Sequence, residues 1–134
     1  AVIGLNQLYK LDKNNKVRIS NFKYFIDNLN SEKYITDLEM EGQCNYAFIV
    51  IMKNSSFEKR NLIETILREN GIEFRRGLSG GGNQLRQPYF KDKGINLDNF
   101  PNVDYIHNFS WYIGNYPNLP QEKIDNLLNI LNNI

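Results

Sequence analysis

The chain has 134 residues, a formal net charge of +1 and 41% hydrophobic residues, which together suit one small domain with its own core. The near-neutral charge disfavours binding to nucleic acid or to an anionic membrane surface, since both need an excess of basic residues. One cysteine and one histidine exclude an internal disulfide and a multi-cysteine or histidine-rich metal site. The longest apolar run, residues 46–52, is too short to span a bilayer. With no signal-peptide pattern at the start, we expect a cytoplasmic location.

Residues 2–29 are predicted to form one long helix or two shorter ones, with a possible break at Asn14 and Asn15. Two apolar stripes recur at helical spacing, the first at Val2, Leu5, Leu8 and Leu11 and the second at Phe22, Phe25, Ile26 and Leu29. No capping residue precedes the first stripe, and the chain begins with alanine rather than methionine. We therefore expect a fragment of a longer protein; the alternative is a native protein that has lost a short leader or tag.

Three segments are predicted to be strands: residues 44–52, 72–76 and 111–114. The first is β-branched, aromatic and continuously apolar, which indicates burial on both faces, and we expect Cys44 at its start to be a small buried hydrophobe. In the second, Ile72 and Phe74 should face inward, with Glu73 and Arg75 facing outward. Between the first helix and the first strand, residues 31–43 are polar and irregular, with Tyr34 among the few residues that could anchor them.

A second helix is predicted to follow Ser55, because Ser55 and Glu58 match the capping box. Its buried face should contain Leu62, Ile63, Ile66 and Leu67. Glu64 and Arg68 should form a surface pair, and Gly71 should end the helix in a left-handed turn. A short helix is expected over 102–108 and a last helix from about Pro120, with a buried stripe at Ile124, Leu127, Leu128 and Leu131. The element order predicts an α+β fold: a small, mostly antiparallel sheet of three or four strands with helices on one face, preceded by the long N-terminal helix.

Residues 75–90, RRGLSGGGNQLRQPYF, form the most unusual segment. Consecutive glycines are costly unless the backbone must approach something closely or adopt a positive φ. Exposed backbone N–H groups, together with Arg75, Arg76 and Arg86, suit an anion such as a diphosphate. The segment is neither a P-loop nor a dinucleotide fingerprint, and a flexible solvent loop is the alternative. His107 is interpreted as structural, with acid–base catalysis as the less favoured hypothesis.

Three stretches in the right order carry a resemblance to a known family. The opening AVIGLNQLYKLD with RISNFKYFIDNL, the loop GGGNQLRQPYF and the closing FPNVDYIHNFSWYIGNYPNLPQEKIDNLLNIL resemble the DegT–DnrJ–StrS family of sugar aminotransferases. The first stretch resembles the helix that links the family's large and small domains. The loop resembles the family's Gly-Asn…Gln-Pro loop at Gly82, Asn83, Gln87 and Pro88. The segment from Arg75 to Asn83 is longer than the commoner family pattern, so the alignment of the loop can shift by a residue or two.

The resemblance implies that residues 1–134 are the single C-terminal small domain of an enzyme that depends on pyridoxal phosphate, with 1–29 as the linking helix and 44–134 as an α/β sandwich. Such enzymes move an amino group from an amino acid, commonly glutamate, to a keto-sugar on a nucleotide diphosphate, for lipopolysaccharide O-antigen and related polysaccharides. The family resemblance places the cofactor lysine upstream of Ala1 and implies a homodimer for the full-length enzyme. We therefore expect no catalytic residue, bound cofactor or activity in this chain alone.

Combining the loop with the resemblance, we expect Arg75, Asn83, Gln84 and Arg86 to bind the nucleotide-sugar substrate, through charged contacts to phosphate and amide contacts to sugar hydroxyls. Two alternatives stay open. A branch of the family carries histidine in place of the cofactor lysine and dehydrates the sugar. The chain could also be a stand-alone module that binds a ligand or a protein without catalysis.

Overall fold

The computed structural model describes residues 2–54, 56–77 and 82–134. Within these ranges it contains four α helices and three strands: α1 Val2–Asn28, β1 Ala47–Ile51, α2 Phe57–Glu69, β2 Phe74–Arg75, α3 Pro101–Phe109, β3 Ser110–Gly114 and α4 Gln121–Asn133. Short 3₁₀ helices lie at Gln84–Arg86, Pro88–Lys93 and Leu97–Asn99. The predicted fold class, α+β with a small antiparallel sheet after a long N-terminal helix, is confirmed.

The sheet has the strand order β1-β3-β2. Phe74 pairs with Ile113 and Arg75 with Tyr112, which makes β2 and β3 antiparallel. The backbone N–H of Met52 donates to the carbonyl oxygen of Phe109 at 3.0 Å. The backbone N–H of Asn115 donates to the carbonyl oxygen of Tyr46 at 2.7 Å. Because one partner number rises as the other falls, β1 and β3 are antiparallel as well. The prediction that β1 is buried on both faces is also confirmed, since four of its five residues are buried.

Contacts divide the chain into two compact units, Ala1–Phe48 with Gly114–Ile134, and Ile49–Ile113. In the first unit, the apolar residues Phe22, Phe25, Ile26, Leu29, Tyr34, Phe48, Ile124, Leu127, Leu128 and Leu131 are buried. These include the whole predicted stripe of α4 and the second stripe of α1. The Tyr34 hydroxyl donates to the carbonyl oxygen of Leu131 at 3.0 Å, so the irregular segment after α1 is anchored as expected. Burial raises the pKa of Tyr34 to about 12.

Helix α1 is continuous over 27 residues, so no break occurs at Asn14 and Asn15. Its first predicted stripe is exposed: Val2, Leu5 and Leu8 are 74%, 58% and 61% accessible. Helical spacing identifies the side of a helix on which apolar residues gather, but it does not supply a surface that covers them.

The second unit is built around Val50, Ile51, Met52, Ile63, Leu67, Trp111 and Ile113, all of which are buried. Helix α2 begins one residue later than predicted, because the cap is Ser56, whose hydroxyl accepts from the amide of Lys59 at 3.2 Å. Ser55 lies outside the described residues. Gly71 follows the helix with φ +66°, as predicted. Pro120 is the residue before α4 rather than its first residue.

Two predictions of burial were wrong, one in helix α2 and one just before strand β1. Leu62 is exposed and Glu64 is buried, because the inward face of α2 passes through Ile63, Glu64 and Leu67. Cys44 is exposed, because β1 starts only at Ala47 and the preceding residues belong to a loop. The alternation predicted for β2 is confirmed, with Phe74 half-buried and Arg75 exposed. Within the described ranges, no helix combines the length and the hydrophobicity that a membrane span needs.

Candidate functional site

The turn after the glycine-rich segment is held in place by Asn83, which is only 2% exposed. Its backbone N–H donates to Nδ1 of His107 at 3.0 Å. Its side-chain oxygen accepts from the amide of Leu85 at 3.0 Å, and its side-chain nitrogen donates to Oδ1 of Asp104 at 3.3 Å. The side chain thereby caps the 3₁₀ helix Gln84–Arg86. Asn83 therefore shapes the turn, since both ends of its amide are already bonded within the protein.

Arg86 extends from the same turn onto helix α3. Its Nε and Nη2 donate to the two carboxylate oxygens of Asp104 at 2.5 and 2.8 Å, a two-point contact. The hydrogen bond from Arg86 lowers the pKa of Asp104, burial opposes this, and the hydrogen bond from Asn83 assists it. The Arg86 side chain is 37% exposed, so part of the guanidinium faces solvent. Asp104 thus holds both Asn83 and Arg86, which fixes the turn against α3.

His107 lies one helical turn beyond Asp104, against the glycines. Nδ1 accepts the Asn83 N–H, which assigns the proton of the neutral ring to Nε2. Burial lowers the pKa of His107, and the positive charges of Arg86 and Arg76 lower it further, while Asp104 opposes them. The close packing also explains Gly82: a Cβ there would lie 2.6 Å from Nδ1 of His107 and closer still to the carbonyl oxygen of Gly77. The structural interpretation of His107 is the one that these contacts favour.

Gln84 and Arg75 occupy different surroundings. Gln84 is exposed, and its side-chain nitrogen donates to the hydroxyl of Tyr89. Arg75 lies on β2 and borders an open cavity of about 600 Å³, together with Arg68 and Arg76. Of the four predicted substrate-binding residues, Asn83, Gln84 and Arg86 lie together in one turn. The fourth, Arg75, lies apart from them at this cavity. Gly80 and Gly81, from the predicted glycine run, lie outside the described residues.

Two carboxylates organise this region, Glu64 and Asp104. The predicted pair of Glu64 with Arg68 is confirmed, but its surface position was wrong because Glu64 is buried, and sequence reasoning missed Asp104. Glu64 is 6% exposed and accepts from Nε of Arg76 at 2.5 Å, from Nη2 of Arg68 at 3.0 Å and from Nε1 of Trp111 at 3.1 Å. Burial raises the pKa of Glu64, but the hydrogen bonds from Arg76, Trp111 and Arg68 outweigh it and leave the pKa below its usual value. A signal was present, since Glu64 lies between Ile63 and Leu67 on one helical face.

In the described ranges, the guanidinium groups of Arg68, Arg76 and Arg86 are held in position by carboxylates. No group of three or more histidine, cysteine or carboxylate side chains in those ranges could hold a metal ion. No lysine whose side chain is described is buried, and the half-buried Lys33 donates to the main-chain carbonyl oxygens of Asn132 and Ile134. Among the described residues, the structure thus offers no desolvated lysine for covalent attachment of an aldehyde cofactor such as pyridoxal phosphate.

A small antiparallel sheet with α helices and a long N-terminal helix defines the class of structure, and comparison with known proteins defines the family. The sequence model of the DegT/DnrJ/EryC1/StrS aminotransferase family matches residues 1–132. The chain therefore belongs to the DegT/DnrJ/EryC1/StrS aminotransferase family, as its resemblance indicated.

Two curated relatives are similar to the chain over almost its whole length. It is 32% identical over 130 residues to the lipopolysaccharide biosynthesis protein RfbH of Salmonella typhimurium, a match that covers 93% of this chain and 29% of that protein. It is 30% identical over 138 residues to GDP-4-keto-6-deoxy-D-mannose 3-dehydratase of Escherichia coli O55:H7, covering 98% of this chain and 34% of the enzyme. The chain thus spans about a third of the length of these relatives.

Solved structures share the fold. Spr1654 of Streptococcus pneumoniae, described as a sugar aminotransferase, superposes with a TM-score of 0.82 at 17% identity, over 97% of this chain and 33% of that one. A GDP-4-keto-6-deoxymannose-3-dehydratase with a trapped PLP-glutamate geminal diamine superposes with a TM-score of 0.76 at 28% identity, over 96% of this chain and 34% of that one. The first likeness supports the fold alone.

Proposed function

We propose that this chain is the C-terminal small domain of an enzyme that acts on a nucleotide-diphosphate-linked keto-sugar in lipopolysaccharide or O-antigen biosynthesis. In this proposal, residues 1–29 form the linking helix and 44–134 the sandwich that follows it. The observation that carries the proposal is the family match over residues 1–132. The relative RfbH is a lipopolysaccharide biosynthesis protein, and the second relative acts on a GDP-linked keto-sugar, which supports the substrate class.

The reaction proposed first is transfer of an amino group from an amino acid to the keto-sugar. Pyridoxal phosphate, bound to a lysine outside this chain, would supply the electron sink for that chemistry. This chain would contribute binding and orientation of the sugar nucleotide. The full-length enzyme is proposed to be a cytoplasmic homodimer.

Arg75, Asn83, Gln84 and Arg86 are proposed to contact that substrate. The solvent-facing part of the Arg86 guanidinium suits a phosphate oxygen, and the exposed Gln84 amide suits a sugar hydroxyl. Asn83 would act through the shape of the turn, because its side chain already bonds Leu85 and Asp104. Arg75 would act from β2, at the cavity that it shares with Arg68 and Arg76.

Dehydration at the sugar is the second candidate reaction, and a specific observation favours it. The relative at 30% identity and the solved structure at 28% identity are 3-dehydratases. In one branch of the family, a histidine replaces the cofactor lysine and the enzymes dehydrate the sugar. A stand-alone module that binds a ligand or a protein without catalysis is the third candidate, and it requires a native start codon close to Ala1.

The decisive experiment is to sequence the native reading frame upstream of Ala1, express it whole and incubate it with pyridoxal phosphate, L-glutamate and GDP-4-keto-6-deoxymannose. Mass spectrometry of the product distinguishes an amino sugar from a 3-deoxy sugar. We expect one of these products from the whole protein and neither from residues 1–134 alone. A start codon within a few residues of Ala1 would defeat the proposal, and so would a borohydride-trappable, stoichiometric pyridoxal phosphate adduct on this chain alone.

A further inference from the structure

The turn that contains Asn83 and Arg86 is attached to helix α3 at two residues, Asp104 and His107, which lie one helical turn apart. Asp104 accepts one hydrogen bond from the Asn83 side chain at 3.3 Å and two from Arg86 at 2.5 and 2.8 Å. His107 accepts one hydrogen bond, from the backbone N–H of Asn83 at 3.0 Å. All four residues belong to the unit Ile49–Ile113. One attachment is therefore a carboxylate and the other is an imidazole, and these two groups gain protons in different pH ranges.

The attachment at His107 exists only while the ring is neutral. In the neutral ring Nδ1 can accept a hydrogen bond, whereas in the imidazolium both ring nitrogens are donors. A proton on Nδ1 would face the backbone N–H of Asn83, so that two donors would meet in place of one hydrogen bond. Asn83 is only 2% exposed, so water has little access to replace the lost acceptor. Protonation of His107 therefore leaves a buried N–H group without a partner.

Two glycines lie against the ring of His107 and leave it little room to turn aside. A Cβ at Gly82 would lie 2.6 Å from Nδ1 of the ring, and a Cβ at Gly77 would lie 3.4 Å from Cε1 and 3.5 Å from Nε2. A flip of the ring would not restore the hydrogen bond, because it would place the carbon Cδ2 where Nδ1 lies. Movement of the turn away from α3 is therefore the way in which the conflict between the two donors is relieved.

The charged groups around His107 come from three elements. Arg86 of the turn and Arg76, the residue after β2, place positive charge near the ring, while Asp104 of α3 places negative charge there. Burial and the two arginines lower the pKa of His107, and Asp104 opposes them. This direction agrees with the geometry, because the attached turn requires the neutral ring. The hydrogen bond from Arg86 lowers the pKa of Asp104, so Asp104 stays ionised where a histidine titrates.

We propose that neutral His107 is a positioning residue for the turn Asn83–Arg86, and that a proton on its ring detaches the Asn83 backbone from α3. Arg86 keeps its hydrogen bonds to Asp104, so the turn changes shape at one end and stays attached at the other. Asn83, Gln84 and Arg86, the residues of the turn proposed to contact the sugar nucleotide, then lose their common arrangement. The effect on substrate binding rests on the proposed function; the effect on the turn does not.

The test is NMR of the ¹⁵N-labelled 134-residue chain between pH 7.5 and 5.0 at constant ionic strength. Two variants bracket the wild type. His107→Asn places an amide oxygen where Nδ1 lies, so it can accept the Asn83 N–H at every pH, whereas His107→Phe keeps a flat ring without an acceptor. The readouts are the ¹⁵N–¹⁵N coupling through the hydrogen bond to Nδ1 in the wild type and the backbone amide signals of Asn83 and Leu85.

In the wild type we expect the coupling at pH 7.5, and its loss together with shifts of both amide signals as the ring gains its proton. These shifts should be absent in His107→Asn, and signals of β1 such as that of Val50 should stay in place in both proteins. At pH 7.5 the Asn83 amide should exchange with solvent about tenfold faster in His107→Phe than in His107→Asn, the effect expected for one lost hydrogen bond.

No coupling at pH 7.5, or the same pH-dependent shifts in the wild type and in His107→Asn, would overturn the proposal. Equal exchange of the Asn83 amide in the two variants would also overturn it, because His107 would then not hold the turn. If His107→Phe fails to fold, the comparison of the wild type with His107→Asn decides alone.

The whole protein encoded by the native reading frame tests the step that rests on the proposed function. The KM for the sugar nucleotide should rise about fivefold from pH 7.5 to 5.5 in the wild type, as expected for one lost hydrogen bond, while His107→Asn shows no such rise whatever its KM at pH 7.5. An equal rise in both proteins would overturn the effect on substrate binding. A protein without activity on the keto-sugar would defeat the proposed function and leave the NMR result for the turn unchanged, so the two can fail separately.

Discussion

Glu64 shows how one buried carboxylate can organise its surroundings. Transfer of a charge out of water is costly, and the cost is offset only when the charge is paired and hydrogen-bonded. Arg76, Arg68 and Trp111 provide that compensation from a strand end, a helix and a neighbouring strand. Loss of the charge would leave the half-buried Arg76 without its partner, whereas loss of the more exposed Arg68 would leave Glu64 with two donors.

We predict that Glu64→Gln lowers the free energy of unfolding by about 3 kcal/mol, the cost of breaking a buried ion pair. Arg68→Gln should cost less than about 1 kcal/mol, because the Arg68 side chain is 62% exposed and its pair with Glu64 is screened by solvent. Urea denaturation of both variants and the wild type provides the measurement. Similar losses in the two variants would show that Glu64 does not organise this cluster.

Gly82 is the second residue for which the structure predicts a large effect. A methyl group at this position would meet Nδ1 of His107 at 2.6 Å and would crowd the carbonyl oxygen of Gly77 even more, so the turn would have to move. We expect Gly82→Ala to destabilise the protein by about 1–3 kcal/mol, the usual cost of overpacking. Gly114→Ala is the control, because nothing lies within 4 Å of the position that its methyl group would take.

Thermal denaturation compares the two alanine variants, and ¹H–¹⁵N spectra locate the change. In Gly82→Ala the shifts should concentrate at Asn83, Leu85 and His107, which share the hydrogen bonds of the turn. A Gly82→Ala protein as stable as Gly114→Ala would contradict the packing described for His107.

At the scale of elements, the two ends of helix α1 differ in how much of their surface is buried. Its C-terminal part buries Phe22, Phe25 and Ile26, whereas Val2 to Leu11 is exposed at every residue. Helices draw most of their stability in proteins from tertiary packing of an apolar face rather than from intrinsic propensity. The N-terminal turns therefore depend on helix propensity alone, which Gly4 lowers further.

Hydrogen exchange tests this difference within one helix. We predict that amides of residues 6–12 exchange at least about tenfold faster than those of residues 22–28, since local opening of an unpacked helix end costs little free energy. Gly4→Ala should slow exchange in the first segment and leave the second unchanged, because a Cβ at Gly4 meets nothing within 4 Å. Uniform protection along α1 would show that the apolar N-terminal stripe is covered in solution.

Most of the helices and strands, and many of their buried faces, are predictable from the sequence. The buried stripes of α1 and α4, the position of β1 and the left-handed end of α2 at Gly71 follow from apolar spacing and glycine alone. The error on the inward face of α2 has a cause outside the helix. Leu62 and Glu64 lie near the edge of a helical face, and which of them turns inward depends on Arg76 and Trp111, which are distant in sequence.

For the whole molecule, the shifted groups predict how stability depends on pH. The pKa of His107 is lower in the folded chain than its unfolded value of about 6.5, so the unfolded state binds the proton first. The contribution of neutral His107 to stability is therefore fully present above pH 6.5. It falls as the pH drops towards the pKa of His107 in the folded chain. The pKa values of Glu64 and Asp104 are also lowered in the folded chain. The stability that their ionised forms contribute is therefore lost only at lower pH, below about pH 4.3.

Urea midpoints at pH 7.5 and 5.5 test the histidine, because the chain contains only one and histidine is the side chain whose ordinary pKa lies between these two values. We predict a lower midpoint at pH 5.5 in the wild type and no such decrease in His107→Gln, whose side-chain oxygen can still accept a hydrogen bond. A decrease of the same size in both proteins would assign the pH dependence to another group.

Apolar spacing, turn residues and three family stretches are enough to predict the α+β class, most of the elements and the family, because these depend on patterns local to the chain. Which charges are buried, and which arginines share a surface, is settled only when the chain folds. Asn83 and Arg86 meet Asp104 across about twenty residues, and Arg76 meets Glu64 across twelve. Local patterns do not encode such pairings, because the energy of a buried charge depends on the groups that folding brings to it.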